Sequence, residues 1–419
     1  VLGTRATAVS TVVVNDTRRA LQDLAKHVLA RRREMRTPLR VVAITGSTGK
    51  TSAKDMLATV FADGGPTVAT YGSFNNELGL PLTVLRVEEL TRYLVLEMGA
   101  RGIGHLAQLC AIAPPDVSLV LNVGKAHLGE FGSKEQIALA KGELVEALEP
   151  DGTAVLNADD PLVLAMGSRT LAHELTFGRA ADAAVRLESL LLDDLGRPSF
   201  ELRHSPPAGA VEVQQITLRL IGGHHALNAA ATVAAALAAG MAFDRIAESL
   251  RGITHLSHWR MELTERPDGV RVINDAYNAN PDSVRAALET LAAIGRRTGA
   301  RTFAVLGEMR ELGETATEEH RAIGRLVREL GIDELVVVGP EAAGIVEGAT
   351  SSTDDLPWLS PLHARDVHEA AAWLSETVRG PDVVLVKASR GAELERVASS
   401  LLDDALHAAG DTDGKESGR

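Results

Sequence analysis

The segment with the clearest chemical potential is Ile-Thr-Gly-Ser-Thr-Gly-Lys-Thr-Ser, residues 44–52. A β-branched run leads into a glycine-rich turn, and Lys50 and Thr51 open a helical pattern. Backbone N–H groups of such a turn and the helix N-terminus bind phosphate oxygens. We expect this cradle to consist of Gly46, Ser47, Thr48 and Gly49, with Lys50 reaching the β- and γ-phosphates and Thr51 binding Mg²⁺. The strict phosphate-loop pattern fails at Ile44, where its first glycine would stand, so the strand–turn–helix context carries the prediction of a nucleotide site.

Three further polar residues stand where apolar runs end. Glu97 follows the run Tyr93–Leu96, Asn122 follows Val117–Leu121, and His127 lies in the next loop. Open α/β sheets bind ligands at the carboxyl ends of their strands. A carboxylate and an imidazole beside a nucleotide suit a divalent cation, although Mg²⁺ alone prefers oxygen ligands. Residue type and position therefore predict a metal beside the phosphate loop.

The elements that must position these residues alternate between strand-like runs and helical segments. The first series contains Arg40–Thr45, Tyr93–Leu96, Val117–Leu121 and Ala154–Leu156; the second contains 271–275, Phe303–Leu306, Leu335–Val338 and Val383–Val386. This alternation predicts an α/β fold with parallel sheets covered by helices on both faces. We expect a central parallel-sheet ATPase domain of the phosphate-loop type and a Rossmann-like C-terminal domain. Shorter alternation over residues 183–220 predicts a small antiparallel insertion.

The predicted domains are residues 1–37, 38–262 and 263–419, with the turn at Pro267-Asp268-Gly269 near the second boundary. The first segment contains a short β run and a helical pattern that ends in Arg31-Arg32-Arg33, which we expect to be a solvated helix end. The tail from about residue 411 is polar, and we expect it to be disordered.

Composition excludes several classes of protein. The 419 residues carry a formal net charge of −13, which disfavours nucleic-acid binding. The single cysteine, Cys110, excludes an intrachain disulfide and a cysteine zinc cluster. The alanine-rich stretch Ala226–Phe243 predicts a buried helix rather than a membrane span. We therefore expect a cytoplasmic monomer without membrane insertion.

A series of motifs resembles the Mur ligase family, in the same order and from about Thr11 to Leu402. The motifs are ITGSTGKTSAKDM, GSFNNELGLPLTVL, YLVLEMGAR, LNVGKAHLGEFGS with AKGELVEAL, VLNADDP, GGHHALNAAA, WRMEL, NDAYNANPDS, VLGEMRELGE and VLVKASRG. Residues 73–77, 278–282 and 386–391 favour the branch that adds D-alanyl-D-alanine, and no DNPR-type motif suggests the diaminopimelate-adding branch.

The resemblance implies an ATP-dependent ligase of peptidoglycan and cell-wall synthesis, with UDP-N-acetylmuramoyl-tripeptide and D-Ala-D-Ala as substrates. In this family a carboxylate takes the γ-phosphoryl group, and an amine then displaces phosphate from the acyl phosphate. Because two anions must approach each other, positive charge from Mg²⁺ and Lys50 is needed. The third residue of the accepted tripeptide, diaminopimelate or lysine, stays open.

The resemblance also implies roles for individual residues. Thr51, Glu97 and His127 match metal-binding positions, and Lys141 matches a carbamylated lysine that binds the second metal. Asn228, Arg260, Asp275 and Tyr277 match nucleotide contacts. Ser73, Asn75 and Asn76 are expected to face the peptide substrate, and Asn278, Asn280, Lys387 and Ser389 to close over the acceptor. The implied catalytic set is Lys50, Glu97, His127, Lys141 and Arg260.

The sequence departs from the family pattern in three places. His225 stands where many members have asparagine, and His258 stands where an arginine is commoner. Family members carry a complete N-terminal domain for the UDP moiety, of which residues 1–37 resemble only the last portion. We therefore expect a truncated N-terminal domain, or a natural protein longer than this sequence.

Two alternatives remain at this stage. One is another amide ligase of the same superfamily, such as a folylpolyglutamate synthase-like enzyme. The other is a non-catalytic protein that binds nucleotide with the same scaffold. The joint presence of Lys50, Glu97, His127, Lys141 and Arg260 argues against the second alternative.

Overall fold

The computed structural model of the chain describes residues 2–5, 10–124, 131–351 and 360–403. Two short strands, β1 (Leu2–Gly3) and β2 (Val12–Val13), pair in parallel before the first helix, α1 (Thr17–Arg33). Two larger sheets follow in sequence, and together with their covering helices they confirm the predicted α/β fold class.

The larger sheet contains nine strands in the described part of the chain. They are β3 (Arg40–Thr45), β4 (Thr67–Ala69), β5 (Tyr93–Glu97), β6 (Val117–Val120), β7 (Thr153–Asn157), β8 (His173–Gly178), β9 (Val185–Leu192), β10 (Pro198–His204) and β11 (Glu212–Thr217). Their spatial order is β11-β10-β9-β8-β7-β6-β3-β5-β4. The six strands from β3 to β8 pair in parallel.

Helices cover both faces of this sheet. They are α2 (Lys50–Gly64), α3 (Gly79–Val84), α4 (His105–Ile112), α5 (Lys134–Glu146), α6 (Pro161–Leu164), α7 (His224–Ala238) and α8 (Phe243–Gly252). Alternate residues of β3 enter different cores: Val42 and Ile44 pack with α2, α7 and α8, and Val41 and Ala43 pack with α1 and α3 to α6. Burial on both faces explains the continuous apolar run of this strand.

The predicted antiparallel segment is part of the main sheet rather than a separate insertion. Strand β10 pairs antiparallel with both β9 and β11, as expected, but β9 pairs in parallel with β8. The pairing of β9 with β8 covers only the end of β8, at Phe177 and Gly178.

The second sheet contains six strands in the described residues. They are β12 (Glu262–Glu265), β13 (Arg271–Asn274), β14 (Thr302–Leu306), β15 (Glu334–Val338), β16 (Leu362–Ala364) and β17 (Val383–Lys387), in the order β12-β13-β17-β14-β15-β16. Only β12 runs antiparallel to its neighbour. One face packs with α9 (Pro281–Thr298), α10 (Ala316–Glu329) and α11 (Ala343–Ala349), and the other with α12 (Val367–Thr377) and the helical segment 395–403. Short 3₁₀ turns span Ala165–Arg169, Gly313–Thr315, Pro340–Ala342 and Arg390–Ala392.

The turn at Pro267-Asp268-Gly269 lies inside the second sheet rather than between the two sheets. It closes the β12–β13 hairpin, in which the Arg266 amide donates to Val270 at 2.8 Å and Gly269 adopts a φ of +87°. The chain passes from α8 to β12 over residues 253–261, and Glu262 belongs to the second sheet. The domain limits 38–262 and 263–419 stay a prediction. The chain that connects the two sheets, residues 253–261, lies upstream of the predicted boundary turn at residues 267–269.

The arginine cluster at the end of α1 is only partly the solvated helix end that its charge predicts: Arg31 and Arg33 are exposed, but Arg32 is buried. Arg32 is 3% exposed, and its guanidinium donates to the carbonyls of Glu88, Thr37 and Thr91. Arg33 pairs with Asp116 at 3.3 Å. Carbonyls at loop ends need donors when they are buried, and Arg32 supplies them. The helix is therefore attached to the larger sheet.

None of the described helices is long and apolar enough to cross a membrane. The alanine-rich helix α7 is buried, as predicted: Ala229, Ala230 and Ala234 have no exposed surface. The predictions for His127 and for the tail beyond residue 411 fall outside the described residues.

Candidate functional site

A cavity of about 660 Å³ lies between the two sheets and is lined from both sides. The larger sheet contributes residues that end or follow β3, β5 and β6, among them Ser47, Glu97 and Asn122. The second sheet contributes Asp275 and Lys387, at the ends of β13 and β17. The carboxyl ends of parallel strands therefore meet across this cavity, as the position rule for α/β sheets predicts.

The phosphate loop is shaped by Asn122. Its Oδ1 accepts from the Ser47 amide at 3.0 Å and the Thr48 amide at 2.9 Å, and its Nδ2 donates to the Thr48 carbonyl at 3.3 Å. These two amides are therefore bonded to protein rather than directed at phosphate, contrary to the expectation that the whole loop forms the cradle. The first-turn N–H groups of α2 lack intrahelical partners and remain for the anion.

The side chain of Asn228 packs directly against the backbone of Gly49. Gly49 has a φ of +79°, and a Cβ built there would lie 2.7 Å from Asn228 Oδ1. Only glycine fits this position. The buried Nδ2 of Asn228 has no hydrogen-bond partner within the described part of the chain. An unsatisfied buried amide beside the loop is consistent with the predicted nucleotide contact.

Lys50 folds back over the loop, where its Nζ donates to the Gly46 carbonyl at 2.8 Å. Burial is the main cause that lowers the pKa of Lys50; Arg260 lowers it further, and Glu97 and Glu311 oppose the shift. The side chain can exchange a neutral carbonyl for a phosphate, which bears negative charge and binds an ammonium more strongly.

Glu97 and Thr51 form the candidate metal site. Thr51 Oγ1 donates to Glu97 Oε2 at 2.8 Å, and Asn75 Nδ2 donates to Oε1 at 2.8 Å. Glu97 is 2% exposed and Thr51 4%. Among the described residues, no group of three or more His, Cys, Asp or Glu could hold a metal ion. Two oxygen donors next to a phosphate loop fit Mg²⁺, which takes its other oxygens from phosphate and water.

Lys141 lies inside helix α5 and is 4% exposed, unlike most lysines of a helix surface. Burial, with a smaller effect of the Lys50 charge, lowers the pKa of Lys141 well below its usual range. Within the described residues, the charged group that shifts the pKa of Lys141 is the ammonium of Lys50. A lowered pKa favours the neutral amine from which the predicted carbamate would form.

Several residues predicted to contact the substrate also hold the protein together. Asn76 Oδ1 caps α3 by accepting from the amides of Leu78 and Gly79, and Asn280 caps α9. Lys387 Nζ contacts Asp275 Oδ2 at 2.5 Å and the Asn278 carbonyl at 2.9 Å. Ser389 donates to the Ala279 carbonyl at 3.3 Å and does not line the cavity.

The predicted nucleotide residues Arg260 and Tyr277 lie together at the cavity wall. The Arg260 guanidinium stacks on the Tyr277 ring at 4.3 Å, and Arg260 Nε is buried without a partner in the described chain. Tyr277 Oη donates to Ser73 Oγ at 2.8 Å, which joins the two sides of the cavity. Asp275 Oδ1 accepts from the Met261 amide at 3.1 Å, so both carboxylate oxygens already have protein partners.

The cavity-lining residues that sequence reasoning did not assign include Asn122, His224, His225 and Glu311. Asn122 had a signal, because it follows an apolar strand. Burial lowers the pKa of His224 to about 4 and that of His225 well below its usual range, so both rings are neutral at pH 7. Glu311 has a φ of +66°, which is uncommon outside glycine and often marks functional loops.

Comparison with known proteins relates these features to one family. The Mur ligase middle domain matches residues 44–236, and the "Mur ligase, glutamate ligase domain" matches residues 259–390. The UDP-N-acetylmuramoyl-tripeptide–D-alanyl-D-alanine ligase of Mycobacterium tuberculosis strain H37Rv is 46% identical over 379 residues, 87% of this chain and 73% of the relative. The Bacillus subtilis ligase of the same name is 33% identical over 94% of this chain and 82% of its own.

Solved structures agree. MurF from Acinetobacter baumannii superimposes with a TM-score of 0.84 at 30% identity, covering 96% of this chain and 84% of the other. MurF from Thermotoga maritima, in complex with ADP, gives a TM-score of 0.82 at 30% identity, covering 97% and 88%. With such coverage at these identities, the chain belongs to the Mur ligase family and, within it, to the MurF group.

Proposed function

We propose that this protein uses ATP to join D-alanyl-D-alanine to UDP-N-acetylmuramoyl-tripeptide in the synthesis of peptidoglycan precursors. The names of its relatives give this reaction, and the Thermotoga structure was solved with ADP. The observation that carries the proposal is the cavity lined from both sheets, with the phosphate loop on one side and the Asp275–Lys387 pair on the other. The protein is an ATP-dependent ligase that forms a carbon–nitrogen bond.

The reaction proceeds in two displacements. An oxygen of the tripeptide carboxylate attacks the γ-phosphorus of ATP, the bond from phosphorus to the bridging oxygen breaks, and ADP leaves. The amine of D-Ala-D-Ala then attacks the acyl carbon, loses a proton, and phosphate leaves with the formation of the amide. Lys50 and the first-turn amides of α2 stabilise the charge on the transferred group. Arg260, which borders the cavity, supplies a second positive charge.

Mg²⁺ is part of the proposal, with Thr51 and Glu97 as its protein ligands. Bound there, the ion neutralises negative charge on the phosphate oxygens. The support is the buried pair of oxygen donors next to the loop. Asn75 holds Glu97 from the opposite oxygen and so orients the carboxylate toward Thr51. His127 stays a predicted ligand of a second metal.

We further propose that Lys141 is carbamylated. Carbon dioxide adds to a neutral amine, the new N–C bond forms, and the nitrogen releases a proton to give a carbamate anion. Burial lowers the pKa of Lys141 and so favours the neutral amine that this addition needs. The carbamate would contribute oxygen donors of the kind that Mg²⁺ prefers. The cytoplasmic location and the monomeric state stay predictions.

Phosphate and ADP release with purified substrates tests the proposed activity. We expect release only when ATP, UDP-N-acetylmuramoyl-tripeptide and D-Ala-D-Ala are all present. Lys50→Ala should lower kcat by at least about a thousandfold, because removal of one preorganised charge from a transition state costs on this order. Its fold should persist, since within the described residues the hydrogen bond of Lys50 Nζ goes to the Gly46 carbonyl alone.

Lys26→Ala is the matched control, because Lys26 is an exposed lysine of helix α1. It should keep the activity of the original protein. Equal turnover of Lys50→Ala at saturating ATP would refute the assignment of the loop. Release with a folate and glutamate instead of the peptide pair would transfer the protein to another branch of the superfamily.

A further inference from the structure

The hydrogen bond between Ser73 and Tyr277 connects the two halves of the site. We propose that these residues form a clasp, through which the position of the second sheet sets the orientation of the Glu97 carboxylate. Ser73 and Tyr277 are then positioning residues of the ligase rather than groups that touch the reacting atoms. The expected effect of the clasp on ligation rests on the proposed function, whereas its expected effect on the distance between the two sheets does not.

The clasp joins parts of the chain that are 204 positions apart. Tyr277 follows β13 of the second sheet, and Ser73 lies in the loop between β4 and α3 of the larger sheet. Tyr277 Oη donates to Ser73 Oγ at 2.8 Å. Ser73 is exposed and Tyr277 is half-buried, so water can take over the hydrogen bond, and the bond favours the closed clasp by only about two- to tenfold. A contact of this kind can open and close in each catalytic cycle.

The ring of Tyr277 is held on the side of the second sheet. The Arg260 guanidinium lies 4.3 Å from its centre and that of Arg390 6.0 Å, and Arg390 also stacks on Trp259 at 4.0 Å. The Tyr277 amide donates to the Trp259 carbonyl at 3.2 Å. Guanidinium groups over aromatic faces restrict the ring. The hydroxyl therefore moves with the second sheet and not independently.

The loop of Ser73 leads directly to the candidate metal site. The Asn75 amide donates to the Ser73 carbonyl at 2.7 Å, and Asn75 Nδ2 donates to Glu97 Oε1 at 2.8 Å. The Asn75 carbonyl accepts from Gly99 at 2.9 Å. Glu97 Oε2 in turn accepts from Thr51 at 2.8 Å. A shift of Ser73 therefore reaches the carboxylate through one intervening residue.

The part of the chain with the larger sheet and the part with the second sheet also touch at an apolar contact, separate from the clasp. Ile221 is buried in the core beneath the second sheet, and a Cβ at Gly196 would lie 3.3 Å from both Thr290 and Ile294 of α9. Separating apolar groups exposes them to water, and this costs more than breaking an exposed hydrogen bond. We therefore expect the apolar contact to persist while the clasp opens.

The structural arm of the test measures the distance between the two parts in the full chain. Spin labels are placed at Leu171→Cys and Arg365→Cys, which are 89% and 84% exposed positions on the two sides. Cys110 is 3% exposed and burial raises its pKa to about 12, so we expect its thiol to react far more slowly than the two introduced cysteines. Tyr277→Phe and Ser73→Ala should each add a longer-distance population in the presence of ADP and Mg²⁺.

The kinetic arm measures the Mg²⁺ concentration for half-maximal ligation. We expect each single variant to raise it about two- to tenfold, the factor that one hydrogen bond is worth, and the double variant to add nothing further. Ser73→Thr, which keeps the hydroxyl, should restore the original behaviour. Tyr71→Phe is the matched control, because Tyr71 lies in the same loop and is 75% exposed.

The outcomes separate the clasp from the proposed function. Distances and Mg²⁺ dependence that both stay unchanged in Tyr277→Phe and Ser73→Ala would overturn the clasp. Additive effects of the two substitutions would do so as well, because they would show that the hydroxyls act separately. Changed distances in a protein without ligase activity would support the clasp and refute the proposed function.

Discussion

Lysine 141 shows how burial changes the chemistry of one side chain. The stretch Ile-Ala-Leu-Ala-Lys-Gly-Glu-Leu has the composition of an ordinary helix, and a lysine on a helix is commonly solvated. In the folded chain Lys141 is 4% exposed, and the first cause of its lowered pKa is removal from water. Removal from water shifts the side chain toward the neutral amine, which reacts with carbon dioxide, whereas an ammonium does not.

Replacing Lys141 should test the carbamate directly. Lys141→Ala is expected to lose most ligase activity, because the anion that completes the metal site is absent. Short carboxylic acids such as acetate should partly restore turnover by occupying the vacated space as a substitute anion. Steady-state ligation with and without acetate is the measurement.

Lys134→Ala provides the control, since Lys134 is an exposed residue of the same helix. It should be active and indifferent to acetate. Full activity of Lys141→Ala would return this lysine to a purely structural role.

At the scale of elements, α1 is held to the larger sheet by both apolar and polar contacts. Ala25 and Leu29 are buried in the core beneath that sheet. The guanidinium of Arg32 donates hydrogen bonds to three loop carbonyls. Its N–H groups point outward in a fixed, planar arrangement, so one side chain can make several hydrogen bonds at once. The charge of Arg32 predicted a solvated side chain. The side chain is buried instead, because nearby carbonyls accept its hydrogen bonds.

Removal of this guanidinium should destabilise the protein. Arg32→Ala removes three hydrogen bonds and takes this donor from the carbonyl of the buried Thr91, and we expect the free energy of unfolding to fall by about 2 kcal/mol. Urea unfolding followed by circular dichroism measures the change as a lower midpoint at constant slope.

The neighbouring Arg31 is exposed, and Arg31→Ala should stay within about 0.5 kcal/mol of the original protein. An Arg32→Ala midpoint equal to that of Arg31→Ala would show that the three hydrogen bonds contribute nothing to stability.

At the scale of the whole molecule, the two sheets present different parts of the site. The phosphate loop and Glu97 belong to the larger sheet, and the Asp275–Lys387 pair belongs to the second. The chain crosses between them over residues 253–261, where Trp259 and Met261 have φ values of 60° and 51°. Left-handed conformations of residues other than glycine cost free energy and occur at switch regions. This connection, rather than the turn at Pro267, is the expected hinge.

Ligands that contact both sheets should compact the protein. We expect an ATP analogue with UDP-N-acetylmuramoyl-tripeptide to lower the radius of gyration in small-angle X-ray scattering, because closure completes the site. Lys50→Ala, which should bind the nucleotide poorly, is the control and should change less. Superimposable curves of the original protein with and without both ligands would exclude a hinge motion.

The sequence by itself determined the features that depend on neighbouring residues. The run Arg40–Thr45 followed by Gly46, Gly49 and Lys50 predicted strand, turn and helix, and the structure has β3 and α2 at these places. Alternating strands and helices predicted the parallel sheets for the same reason: hydrophobic periodicity and turn chemistry act over a few residues. From the family motifs we further predicted that the ATP-binding domain precedes the Rossmann-like domain in the chain.

Only the tertiary structure decided which side chains meet. Asn122 bonds the phosphate loop from 74 and 75 positions away, Asn75 holds Glu97, and Tyr277 reaches Ser73. The segment 183–220 extends the main sheet through the pairing of β9 with the end of β8. These contacts join residues that are distant in sequence, and folding selects them through burial and hydrogen-bond satisfaction, which local spacing does not encode.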